Sequence, residues 1–172
     1  TDTILKYAEE NSPDLNVMGG KAAGMLGGLL GNVAANVIHS GHWPVLVVRG
    51  PYNGLKRVLL VTDGSPASRY TCEYFGAFPL PAGTSLEIMH VVIPVSVELG
   101  HPQNAKLVLR IGDPLDQILT YIKTENIDML VCGSRGVGNL AGWLMGSLSR
   151  ELVRQATCTV LVVRTPPETA ST

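Results

Sequence analysis

The chain has no surplus of either charge, since 13 lysines and arginines stand against 14 aspartates and glutamates in 172 residues. A balanced surface has no broad field to hold nucleic acid or an anionic membrane non-specifically, so any anion must be caught by a few placed donors. Cysteine is scarce and odd in number. Cys72, Cys132 and Cys158 show neither CxxC nor Cys/His spacing, which argues against a disulfide framework or a zinc site and points to a reducing, cytoplasmic setting. The histidines are limited to His39, His42, His90 and His101, none at a ligand spacing from a cysteine or carboxylate, so no metal is expected. Trp43 and Trp143 lack the basic or aromatic company of a stacking platform for single-stranded nucleic acid. The apolar stretch from 17 to 38 is broken by Lys21, Asn32 and Asn36 and has no signal-peptide flank, so it does not read as a membrane span. Neither the P-loop pattern nor GxGxxG occurs, which counts against a P-loop ATPase or an ordinary dinucleotide dehydrogenase. A hydrolase triad of Ser65 or Ser68 with His90 and Asp63 lacks the GxSxG elbow it would need.

What is present is the composition of a compact folded protein, 45% hydrophobic and 16% charged, together with an internal repeat. Val-Leu-Val-Val-Arg occurs at 45–49 and again at 160–164. Upstream of each copy Ile4, Leu5 and Tyr7 match Ile118, Leu119 and Tyr121, Asp14 matches Asp128, Gly19 matches Gly133 and, with one residue of slippage, Gly31 matches Gly146. The second copy has a long first half, residues 55–112, with no counterpart in the first. The expectation is that residues 1–50 are the carboxyl-terminal half of a first, degenerate unit whose other half lies outside this sequence. The alternative is a truncated duplication that merely packs on the second unit. Gly50, Pro51, Asn53 and Gly54 mark residues 51–54 as a turn-rich linker, 55–166 as the complete second unit and 167–172 as a fraying tail.

Within the complete unit, Arg57 to Thr62 reads as a buried strand, and Asp63-Gly64-Ser65-Pro66 as a turn with an N-cap and a proline at the first helical position, leading a helix through about Phe78. Ser85 to Val92 and Lys106 to Ile111 read as strands. Asp113-Pro114 repeats the cap signature, and Leu115, Ile118, Leu119 and Ile122 share one helical face. Asp128 to Cys132, a helix from Ser147 to about Ala156 and a strand from Thr159 to Val163 complete the alternation. Alternating strands and helices, with strands apolar on both faces, predict an α/β fold with a doubly wound parallel five-stranded sheet, whose ligands bind beyond the carboxyl ends of the strands.

The chemistry is carried by Gly133-Ser134-Arg135-Gly136, nine residues, then Gly146-Ser147, joining a strand to a helix. Glycines bring main-chain N–H groups against a ligand, and a helix N-terminus adds unpaired donors and partial positive charge, so this reads as a phosphate cradle. Ser147, Leu148 and Ser149 open that helix and offer backbone N–H groups and two hydroxyls, while Arg135 or Arg150 could add charge. The competing reading is a tight loop followed by an ordinary serine N-cap at Ser147. Asp63, at the same edge of the sheet, could bond a ribose or adenine or help hold a metal riding on phosphates, or serve only its turn. Cys132 closes an apolar strand and reads as a buried small side chain.

Together these residues resemble the universal stress proteins, specifically their ATP-binding, UspA-like branch with its Gly-x2-Gly-x9-Gly-Ser/Thr signature, matched at Gly133, Gly136, Gly146 and Ser147. The resemblance runs through the strand ending at Asp63, the His90-Val91 strand and the closing Val-Leu-Val-Val strand. It implies a Rossmann-like, adenine-nucleotide α-hydrolase-like fold and ATP, with or without Mg²⁺, as ligand. Adenosine would be bordered by Thr62, Asp63 and Val91, and ribose and phosphates held by Gly133, Ser134, Arg135, Gly136, Gly146, Ser147, Leu148 and Ser149. It also implies that the two Val-Leu-Val-Val strands pair, as an intramolecular pseudo-dimer or a homodimer. Two departures stand out. Only about a dozen residues, with Pro94, Gly100 and Pro102 among them, separate Ile93 from Lys106, where the family has a helix and long loop; and Asn32 replaces the serine in the first copy, which is expected to be structural. No general base or water-positioning residue is evident, so regulated binding in a stress response is expected ahead of catalysis. A slow ATP hydrolase and a nucleotide-free scaffold are the other readings.

Overall fold

The computed structural model describes residues 1–20, 31–50, 52–92, 105–135 and 145–165. The expected segments at 93–104, 136–144 and 167–172 lie outside them, Gly136 included.

The elements follow from their sequence. In chain order they are α1 (Asp2–Asn11), β1 (Asn16–Gly19), α2 (Asn32–Ser40), β2 (Val45–Val48), β3 (Arg57–Thr62), α3 (Pro66–Gly76), β4 (Ser85–Val92), β5 (Ala105–Ile111), α4 (Pro114–Thr124), β6 (Met129–Gly133), α5 (Ser147–Gln155) and β7 (Thr159–Val163). Two helices begin as the proline signatures predict. Ser65 Oγ accepts from the Ser68 N–H ahead of Pro66, and Asp113 Oδ1 accepts from the Asp116 N–H ahead of Pro114. α3 stops two residues short of Phe78, which instead stacks on Phe75.

The described strands form one seven-stranded sheet in the order β1-β2-β7-β6-β3-β4-β5. From β7 to β5 the order is doubly wound and every pair is parallel, as expected of the second unit. The sheet does not end there. β2 pairs antiparallel with β7, and β1 pairs parallel with β2. Residues 1–50 extend the sheet through backbone hydrogen bonds between β2 and β7. In register Val45 faces Val162, Leu46 faces Leu161 and Val47 faces Val160. Since 45–49 and 160–164 carry the same sequence, the joint is self-complementary about Leu46 and Leu161.

Each unit also places an arginine in the other. Buried Arg49 donates to the carbonyls of Val153, in the last turn of α5, and of Cys158, just ahead of β7. Buried Arg164 donates to the carbonyls of His39 and Gly41 at the carboxyl end of α2. A guanidinium at the negative end of a helix satisfies carbonyls that the helix leaves unpaired. Burial lowers both side chains from the usual arginine range, Arg164 to about 10, where Arg135 nearby adds to the effect.

One face of the sheet packs on α2, α4 and α5 through Val37, Ile118, Ile122, Leu152 and Val153, and the other on α3 through Phe75. A buried polar group holds the α4 side. Burial pushes the Glu87 carboxyl up, but the Tyr121 hydroxyl, Arg57 and Lys106 outweigh this and hold it below the usual carboxylate range. Desolvation raises the thiol of Cys132 to about 12 and that of Cys158 to about 11, so both are buried, inert side chains. Among the described residues no helix is long and apolar enough to cross a membrane, and no cluster of metal-binding side chains occurs.

Candidate functional site

β3 is the strand at which the winding reverses: the chain steps to β4 and β5 on one side and to β6 and β7 on the other. The carboxyl ends of β4, β3 and β6 there bring Val91, Thr62, Asp63, Gly133 and Ser134 to one edge, where α/β sheets take ligands.

On the β3 side the turn is held by its own side chains. The Thr62 hydroxyl donates to Ser68 Oγ at 3.0 Å and accepts from the Gly64 N–H at 3.2 Å, and Asp63 Oδ1 accepts from the Ser65 N–H at 3.0 Å. Half-buried Asp63 therefore does serve its turn, with its carboxylate at the sheet edge. The buried His90 ring lies 2.9 Å from the Thr62 carbonyl through Nδ1. A carbonyl only accepts, so Nδ1 is the donor of this bond. Val91 is half-buried, with its side chain against the core on the α4 side.

On the β6 side the two ends of the glycine loop are stitched together. The Ser134 N–H donates to the Val163 carbonyl at 2.9 Å, the Gly146 N–H donates to the Ser134 carbonyl at 2.8 Å, and the Arg135 guanidinium donates to the Thr165 carbonyl at 2.7 Å. Gly133 is required by packing. A β-carbon there would sit 2.8 Å from Thr71 Oγ1 on α3. Gly146 is not crowded: its β-carbon would meet the Ser134 carbonyl at an ordinary 3.6 Å.

Gly146 is the N-cap of α5, so Ser147 is the first helical residue rather than the cap, and among the described residues no side-chain cap is made to this helix start. This contrasts with α3, where Ser65 fills that role. Ser147 and Leu148 are exposed. Ser149 departs from expectation: its buried hydroxyl donates to the Gly133 carbonyl at 2.7 Å and so closes the loop instead of offering a proton outward. Ser134 Oγ is buried with no hydrogen-bond partner, an orphan that a ligand oxygen would satisfy. Exposed Arg150 donates to the Met145 carbonyl at 3.3 Å.

Sequence reading missed the α3 contribution. Ser68 and Thr71 are buried, three residues apart, and face Thr62 and Gly133. Polar residues at helical spacing on the buried face of α3 were the available signal.

The family model for the universal stress protein family matches residues 1–49 and 96–164. A universal stress protein of Mycolicibacterium smegmatis is 27% identical over 183 residues, covering 89% of this chain and 62% of that protein. The crystal structure of a universal stress protein from Archaeoglobus fulgidus superposes with a TM-score of 0.67 at 22% identity, over 96% of this chain and 65% of that one. A universal stress protein solved in complex with cAMP superposes with a TM-score of 0.50 at 21% identity, over 65% of this chain and 98% of that one. The chain thus spans somewhat under two thirds of the length of the first two. With the family model matched on both sides of the antiparallel joint, the chain belongs to the universal stress protein family.

Proposed function

We propose that the second unit binds ATP or a related adenine nucleotide, and that binding rather than turnover is its business, as a cytoplasmic regulatory protein of the stress response. The observation that carries this reading is the uncapped N-terminus of α5 beside the orphaned Ser134 hydroxyl, at the edge where the winding reverses. Unpaired helix N–H groups and a partial positive charge are an anion site, and Arg135 and Arg150 stand at its rim. The N–H groups of Ser147, Leu148 and Ser149 hold phosphate, with the Ser147 hydroxyl outward and Ser134 beneath; Asp63 and the backbone at Val91 border the nucleoside. A family member solved with cAMP supports the ligand class. Among the described residues at this edge the side-chain hydrogen bonds hold the turn and the loop ends together, which supports a binding role.

Gly146→Asp tests the reading without damaging the fold. Gly146 already has the extended backbone of an N-cap and room for a β-carbon, so aspartate there caps α5 and occupies the N–H groups that phosphate would use. Calorimetry with ATP and Mg²⁺ is expected to show about one nucleotide per wild-type chain and at least tenfold weaker binding by the variant, while the variant melts higher. Folded wild type that binds no ATP, ADP or AMP would make the glycine loop architecture only.

A further inference from the structure

The chain leaving β7 is held from two sides. On one side the Ser134 N–H donates to the Val163 carbonyl at 2.9 Å and the Arg135 guanidinium to the Thr165 carbonyl at 2.7 Å, so the start of the glycine loop hangs on residues 163–165. On the other side, across the joint, the end of α2 takes the residue between them. Arg164 donates through Nε to the Gly41 carbonyl and through a terminal nitrogen to the His39 carbonyl, both at 2.9 Å. The candidate cradle and the end of α2 thus grip three consecutive residues.

Charge makes that sharing more than mechanical. Arg164 is 6% exposed, and burial, followed by the like charge of Arg135, lowers its guanidinium to about 10. Two cations on one short stretch repel, and burial leaves the repulsion little screened by solvent or salt. An anion beside Arg135 offsets that repulsion, because it attracts both guanidinium groups. Among the described residues three buried side-chain polar atoms lack a hydrogen-bond partner, and two of them, Ser134 Oγ and Thr165 Oγ1, flank the Arg135–Thr165 contact.

Arg49 gives the comparison. It is 5% exposed and donates to the Val153 and Cys158 carbonyls in the same manner. Burial lowers it too, but no second guanidinium acts on it. The antiparallel register puts it at the other end of β7, roughly 20 Å of strand from Arg164.

With the nucleotide reading above as its premise, we propose that Arg164 sets the preference of the cradle for phosphate-bearing ligands over the bare nucleoside, and that an anion bound there tightens the hold of Arg164 on the end of α2. Arg164 is a positioning residue in this role, acting through its charge and through Arg135 without touching the ligand. By linkage the two effects are one: whatever the anion gains from Arg164, the joint gains from the anion. Residues 32–43 then take part in ligand binding although the cradle lies on the far side of β7.

Calorimetry on the full chain reads ATP directly and adenosine by displacement of ATP. In Arg164→Met the preference for ATP over adenosine is expected to fall at least about fivefold, while Arg164→Lys, which keeps the charge, and Arg49→Met, which weakens the joint at its other end, stay within about twofold of wild type. In the wild type, hydrogen exchange across residues 38–43 is expected to slow at least about threefold with ATP and not with adenosine at equal occupancy. A merely structural arginine would weaken ATP and adenosine alike. An unchanged preference in Arg164→Met, an equal loss in Arg49→Met, or exchange that ATP leaves unchanged each overturns the proposal while nucleotide binding stands. If Arg164→Met does not fold, the exchange measurement on the wild type decides. A folded wild type that binds neither ligand overturns the reading of the cradle and this proposal with it.

Discussion

β2 and β7 share the sequence Val-Leu-Val-Val and end differently buried. β7 lies between β2 and β6 with every residue buried, whereas in β2 only Val45 and Val47 are, and Leu46 and Val48 remain half-exposed. The difference is in the neighbours, because α3 covers the second unit on the face to which Leu46 and Leu161 belong. Identical side chains on identical backbone carry no burial of their own. Burial is conferred by what the rest of the chain lays over them. Where both units contribute equally, at the antiparallel joint and its two crossing arginines, the environments converge again.

Predictions can break or sharpen this comparison. The largest effect is expected in the matched pair Ile118→Ala and Ile4→Ala. Emptying the covered site costs about 3 kcal/mol in urea unfolding, and the exposed counterpart less than about 1 kcal/mol. Equal losses would mean that the first unit's face is as well packed as the second's. Next come Arg49→Leu and Arg164→Leu, each leaving two carbonyls at or just beyond a helix end across the joint without this donor. Each is expected to cost about 2 kcal/mol, and a much larger loss on one side alone would break the reciprocity of the joint. The smallest effect is at the helix starts. Gly31, like Gly146, is an N-cap with no side-chain cap and with space for a β-carbon. Gly31→Asp and Gly146→Asp should each add about 1 kcal/mol, or about 2–4 °C in melting temperature, and only the second should suppress nucleotide binding. Loss of binding in Gly31→Asp would place an anion site in the first unit, against the reading of Asn32 as its degenerate residue.

Much of this was legible in the residues themselves. Strand edges at Arg57, Thr62, Ser85, Val92, Thr159 and Val163 agree with the apolar runs, since buried parallel strands are continuous in hydrophobicity. The two proline starts agree because capping is a local hydrogen bond between residues three apart. At the site, the spacing of Gly133, Gly146 and Ser147 located the strand end and the helix start. It could not show that the Ser149 hydroxyl turns back to Gly133, that Gly133 is glycine because Thr71 crowds it, or that Ser134 lies buried without a partner. Each of those depends on an atom more than ten residues away, or on the lack of one.

The sequence by itself determined the alternation of elements, the repeat, the helix starts and the loop spacing, because these rest on hydrophobic period and on contacts within a turn of chain. Only the tertiary structure decided the order β1-β2-β7-β6-β3-β4-β5 and the antiparallel sense of the joint at Leu46 and Leu161. It alone decided the exchange of Arg49 and Arg164 between units. A Val-Leu-Val-Val strand has apolar side chains on both faces and so presents the same pattern to a parallel or an antiparallel partner. The choice falls to the register in which distant side chains and helix ends are satisfied together.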